Sequence, residues 1–211
     1  MNKRFSSHIF WGASSPLSSL IGICIIILAS GRLSYALVCA GALLWVYGLS
    51  ALIFSAAKNI LPKQGKMIIM LFLSAFLCGI YILILSLLNP LLFLGSAFIL
   101  LLIPPCFLGF NLLENSDNVA TLDVFARAIL EALLLSGIII LFSLIRESLG
   151  FGTLSFPGGV FGFFELTEDA EAFVPLRLLS ISAGGILLLG YCIAIYRYIR
   201  EKNRMIPKDE L

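Results

Sequence analysis

Two cysteines, Cys24 and Cys106, stand near the centres of apolar stretches that are each defective as membrane spans. Thiolates are soft metal ligands, and their spacing and surroundings decide what they bind. Cys24 lies in Leu20-Ile21-Gly22-Ile23-Cys24-Ile25-Ile26, within an apolar run too short to cross a bilayer comfortably. Cys106 lies in Leu102-Ile103-Pro104-Pro105-Cys106-Phe107-Leu108-Gly109. Two consecutive prolines cannot continue a helix without freeing carbonyls and losing donors. In lipid, freed backbone groups must find partners or face a protein-lined site. The functional reading of this pair is metal or cluster ligation. A [2Fe–2S] cluster takes four ligands, so two thiolates would need a second pair from another chain. The plainer reading of a buried cysteine is a small hydrophobe. That reading is taken for Cys39, Cys78 and Cys192, which sit in unbroken apolar runs.

Few other residues carry chemistry. Arg127 and Glu131 are four apart on one helix face and are expected to pair at the membrane interface. Asp123 reads as a helix-start residue. Arg146-Glu147 opens the pattern Arg146-Glu147-Ser148-Leu149-Gly150-Phe151-Gly152-Thr153-Leu154, whose glycines permit a tight turn. His8 is the single histidine and reads as interfacial. The chain has no phosphate-binding glycine loop, no HExxH and no triad with a second histidine.

The elements that must position these residues are membrane spans. Of 211 residues, 60% are hydrophobic and 12% charged, and the mean hydropathy is +1.07. Soluble domains carry about 25% charged residues. A single transmembrane domain over residues 1–211 is expected, in six segments. The first runs over about Leu17–Ser30 and the second over Leu33–Ala57. The third covers Met67–Leu88 and ends in an Asn89-Pro90 turn. The fourth is Leu91–Leu113, with Pro104-Pro105 inside it. The fifth covers Val124–Ile145 and ends at Arg146-Glu147. A long Gly- and Phe-rich connection precedes the sixth, Leu176–Ile199.

With the N-terminus inside, eleven of the 14 Lys and Arg lie on the cytoplasmic side, leaving Arg32, Arg146 and Arg177 outside. This bias favours cytoplasmic termini. The closing Lys208-Asp209-Glu210-Leu211 then faces the wrong compartment to be read as a retention address. Segments one and four each carry a central cysteine in a short or broken helix. The expected organisation is two inverted three-helix repeats, residues 1–89 and 90–211, with the site at their midplane.

The stretch Arg-Glu-x-x-Gly-x-Gly-Thr-Leu after the fifth span resembles the small membrane subunits of the Rnf electron-transport complex and of Na⁺-translocating NADH:quinone reductase. Ser15-Pro16 followed by Ile21-Gly22-Ile23-Cys24 is similar to the family's first-half motif, and Cys106-Phe107-Leu108-Gly109 to its second. The resemblance covers roughly residues 14–199, and an inside N-terminus looks most like the RnfE/NqrD type. The chain departs from the family at Pro105, where Asn is usual, at Phe110-Asn111-Leu112, where Arg-Ala-Glu is usual, and at Ile25, where Pro is frequent. The flavin-attachment motif of sister subunits is absent.

The resemblance implies a six-helix subunit of a redox-driven ion translocase, in the bacterial inner membrane and without an independent active site. Cys24 and Cys106 would hold one edge of a [2Fe–2S] cluster. A homologous subunit of opposite topology would hold the other, beside further membrane and flavin-bearing subunits. The N–H groups at the ends of broken helices are expected to face the cluster sulfurs. The competing class is a small inverted-repeat transporter or channel with inert cysteines.

Overall fold

A computed structural model of the chain describes residues 20–57, 66–108, 121–158, 163–165 and 177–205. Uninterrupted apolar sequence makes long helices. These are α2 (Leu33–Ala57), α3 (Lys66–Leu88), α6 (Thr121–Gly150) and α7 (Ser182–Met205). All four are long and apolar enough to cross a membrane. The first segment is described as α1 (Leu20–Ala29), a helix of 10 residues. At 1.5 Å per residue the described helix reaches about 15 Å. The fourth segment is two pieces, α4 (Pro90–Leu100) and α5 (Ile103–Leu108). The protein is therefore an all-α membrane protein with six segments, the first short and the fourth broken.

Local chemistry explains the boundaries. Asn89 leaves the α3 helix with extended backbone (φ −150°, ψ 91°), and its side chain accepts from the Leu92 N–H at 3.3 Å. Pro90 follows in the first turn, where a missing N–H costs nothing. The expected Asn89-Pro90 turn is thus a cap that reverses the chain with no loop. In the fourth segment the break falls at Leu101-Leu102, just before the prolines. Pro104 and Pro105 sit in the first turn of α5, so they open the second piece rather than end the first.

The fifth segment departs from expectation. Helix α6 starts at Thr121 and runs to Gly150, so Arg146 and Glu147 lie inside it, not at its end. Its buried positions among the described residues are Ala128, Ala132, Leu135, Ser136, Ile139, Phe142, Ser143, Arg146, Glu147 and Gly150. That is a stripe at i, i+3, i+4, i+7 spacing, and the two charges continue it. After α6 the backbone turns at Gly152, whose φ of 69° suits glycine, as the glycine pattern leads one to expect. The connection also holds an element that no sequence pattern announced, an antiparallel pair of short strands. These are β1 (Ser155–Pro157) and β2 (Phe163–Glu165), with Phe156 opposite Phe164. A 3₁₀ turn (Arg177–Ser180) leads into α7.

The core is built around the closely packed pair α2 and α6. Helix α2 buries Ala36, Cys39, Ala42, Leu43, Val46 and Tyr47 among others, and leaves a face with Trp45, Leu52 and Ile53 exposed. Small residues let helices approach in a membrane, where packing replaces the hydrophobic effect as the driving force. Gly41 on α2 faces the Tyr81 hydroxyl of α3, which donates to the Val38 carbonyl at 3.0 Å. Helices α3, α4 and α7 carry the outward apolar surface, including Phe72, Phe76, Leu94, Phe98 and Ile186. Helix α1 packs against α2, α4, α5, α6 and α7, so the short first span is enclosed by its neighbours.

Candidate functional site

Cys24 lies on α1 and is half-buried, between the fully buried Ile25 and Ile26 on one side and the partly buried Ile23 on the other. Cys106 belongs to α5, but its side chain lies outside the described residues. The helices that bear the two thiols pack directly against each other. Among the described residues no three of His, Cys, Asp and Glu gather into a metal-binding group. The two-thiol set expected here falls below that count, and a shared site would draw its other ligands from a second chain.

At the break, Pro104 has no N–H, so the carbonyl four residues earlier, that of Leu100, loses its helical partner. The Cys78 thiol on α3 takes that place, 3.2 Å from the Leu100 oxygen. Cys78 therefore does more than fill space, although an unbroken apolar run gave no sign of it. The prolines have a second consequence. They remove two N–H groups from the first turn of α5, so that turn cannot present the full set of donors expected at a broken-helix end. Cys39 is buried in the α2 core and Cys192 is exposed on α7. The side chains of Arg127 and Asp123 lie outside the described residues, as does His8.

The densest polar site is one that the sequence motifs did not single out for chemistry. Arg146 is 2% exposed and Glu147 1% exposed. Arg146 Nη1 donates to the Ile27 carbonyl (2.8 Å) and to Ser30 Oγ (3.0 Å). Its Nε donates to the Leu179 carbonyl (2.9 Å) and Nη2 to the Ser180 carbonyl (3.2 Å). The guanidinium thus covers the C-terminal ends of both α1 and the 3₁₀ turn, where carbonyls lack helical donors. Glu147 reaches the other side of the same connection. Its Oε2 accepts from the Leu33 N–H at the start of α2 (2.6 Å), and its Oε1 from the Ser155 N–H (2.9 Å). Consecutive helical residues point about 100° apart, so one dipeptide reaches both helix ends. Each charge meets the dipole end of opposite sign. A Cβ on Gly185 would come 3.0 Å from the Arg146 Cζ, so glycine there gives the guanidinium its room. A signal for this site did exist in the sequence: Arg146 and Glu147 continue the spacing of Ala128, Ala132, Ser136 and Ser143.

The described residues thus define a multi-pass helical membrane protein in which the segments bearing Cys24 and Cys106 pack together. Residues 3–193 match the family described as Rnf-Nqr subunit, membrane protein, and the chain belongs to that family. The NqrD component of the Na⁺-translocating NADH-quinone reductase of Chlamydia felis is 23% identical over 211 residues, covering 96% of this chain and 97% of the relative. The component of the same name from Chlamydia trachomatis serovar D is 25% identical over 213 residues, covering 94% and 96%. The family resemblance carried by the cysteine and Arg-Glu motifs thus holds over nearly the whole chain.

Proposed function

We propose that this chain is a membrane subunit of an ion-translocating oxidoreductase of the Rnf/Nqr type. In this reading Cys24 and Cys106 hold one edge of a [2Fe–2S] cluster, and a homologous subunit of opposite topology holds the other. The observation that carries the reading is the direct packing of α1, which bears Cys24, against α5, which bears Cys106. The family match and the names of the relatives support it. When bound, the cluster supplies a one-electron stop between the two faces of the membrane. The chain's own part is to bring two thiolates from distant sequence together and to keep water and lipid from them. An unligated thiolate in that setting would be costly. Ligation removes most of the cost.

The same reading places residues 1–89 and 90–211 as inverted halves. The close packing of their middle helices, α2 and α6, and of their first segments, α1 with α4 and α5, supports a pseudo-twofold arrangement. The charge bias supports cytoplasmic termini and the family match a membrane location, which this reading takes to be the bacterial inner membrane.

The test is a low-temperature EPR spectrum of the reduced complex with and without Cys106→Ala. The expected result is loss of a [2Fe–2S] signal in the variant. A signal that survives unchanged overturns the ligand assignment and leaves the inert-cysteine transporter as the better reading.

A further inference from the structure

Helix α1 has 10 residues, and Cys24 stands six residues before Ser30, about 9 Å along the axis. Whatever fixes the outer end of α1 therefore fixes where Cys24 stands. The feature at that end is Arg146. Its Nη1 bonds the Ile27 carbonyl, one turn beyond Cys24, and Ser30 Oγ. Its other donors anchor it to the Leu179 and Ser180 carbonyls of the 3₁₀ turn. Ser30 Oγ in turn donates to the same Ile27 carbonyl at 3.0 Å, so hydroxyl and guanidinium close on one oxygen. Beyond the three-residue connection, Glu147 holds the first N–H of α2. The end of α1 and the start of α2 are thus referred to one point on α6, a central helix of the core.

We propose that Arg146 is a positioning residue for Cys24: it sets the depth and rotation of α1 from outside the site, with Glu147 fixing the opposite side of the turn. A planar fork with donors in fixed directions suits this task, and an ammonium does not reproduce it. A buried charge is also an expensive way to end a helix, since a glycine cap would serve. What the charge adds is a rigid link among three elements that no backbone cap can make. The functional importance of this link rests on the reading of Cys24 as a ligand, but the positioning itself does not.

The experiment uses the assembled complex in native membranes and measures alkylation of individual cysteines by N-ethylmaleimide, resolved by mass spectrometry. Arg146→Gln is expected to raise the alkylation rate at Cys24 by about tenfold through local opening, with Cys39 in the α2 core unchanged. Arg146→Lys should restore the rate only in part. The EPR line shape of the reduced complex should change in Arg146→Gln with the signal retained, a shift that simple loss of stability does not give. Should Arg146→Gln fail to accumulate, Ser30→Ala removes one of the guanidinium's acceptors and should raise the Cys24 rate by about threefold. A Cys24 rate equal to wild type in both Arg146→Gln and Ser30→Ala, or in Ser30→Ala when the other is absent, overturns the proposal. So does a parallel rise at Cys39. A wild-type complex with no cluster signal, together with the Cys24-specific rise in Arg146→Gln, would sink the ligand reading and leave the positioning intact.

Discussion

The chain interrupts its helices in two places and secures them by opposite means. At the α1–α2 turn, a full positive and a full negative charge make six hydrogen bonds to the ends of three elements and to the first strand. At the α4–α5 break, the freed Leu100 carbonyl has a neutral thiol, a weak donor, and two prolines have removed the competing N–H groups. The difference follows from the cost of charge in a membrane. A charge in a membrane span is costly unless it is paired or bonded to backbone carbonyls, as Arg146 is. Bonds to charged groups contribute about 1.5–3 kcal/mol net, against about 0.5–1.5 for neutral ones. On these magnitudes the α1–α2 turn should be the rigid site and the α4–α5 break the compliant one.

The comparison breaks most visibly at the rigid site. Glu147→Leu leaves the Leu33 and Ser155 N–H groups without their acceptor and Arg146 without its neighbouring opposite charge. The expected loss is about 3–5 kcal/mol, seen as a steep fall in the thermal midpoint of the solubilised complex. A loss near that of an ordinary surface change would show that the turn is not held by the carboxylate. The compliant site should respond less. Cys78→Ala strands the Leu100 carbonyl and should cost about 1–3 kcal/mol, whereas Cys78→Ser, which keeps a donor, should cost less. In a double-mutant cycle, Pro104→Ala supplies an N–H four residues from Leu100 and should shrink the cost of Cys78→Ala; additive losses would break that link. The smallest effect should come from Arg32, stacked 5.7 Å from the Phe151 ring centroid beside the rigid turn. Arg32→Gln should lower the same thermal midpoint by no more than about 1 kcal/mol of stability, and a larger fall would enlarge the set of charges that hold the turn.

These two sites also mark how far the sequence can be read. Six segments, the short first helix, the break near Pro104-Pro105 and the Asn89-Pro90 turn all express local rules: hydropathy over a window, missing N–H groups, a capping side chain. They were legible because cause and effect lie within a few residues. The role of Cys78 was not, because its acceptor is 22 residues away on another helix. Arg146 and Glu147 looked like the polar end of a span, since hydropathy falls there. Apart from the nearby Ser155, their partners lie 33 to 119 residues distant, and nothing local announces them. The contact between the two cysteine-bearing segments, α1 and α5, was legible in the defect that both spans share. The hydrogen-bond donors expected around it were not, because the prolines that mark the break also remove first-turn N–H groups.

The long reach of Glu147 has a consequence for how the chain is made. The Leu33 N–H emerges 114 residues before the carboxylate that accepts it. At elongation rates of roughly 5–20 residues per second, the interval is on the order of ten seconds. For that time the first hairpin of the protein sits in the membrane with an open end and a span too short to hold itself. The second, third and fourth segments are inserted in the meantime, and the fifth closes what the first began. The N-terminal half therefore lacks the acceptor for its first turn until the fifth segment arrives, and a ribosome that stalls before residue 147 leaves behind a fragment without it.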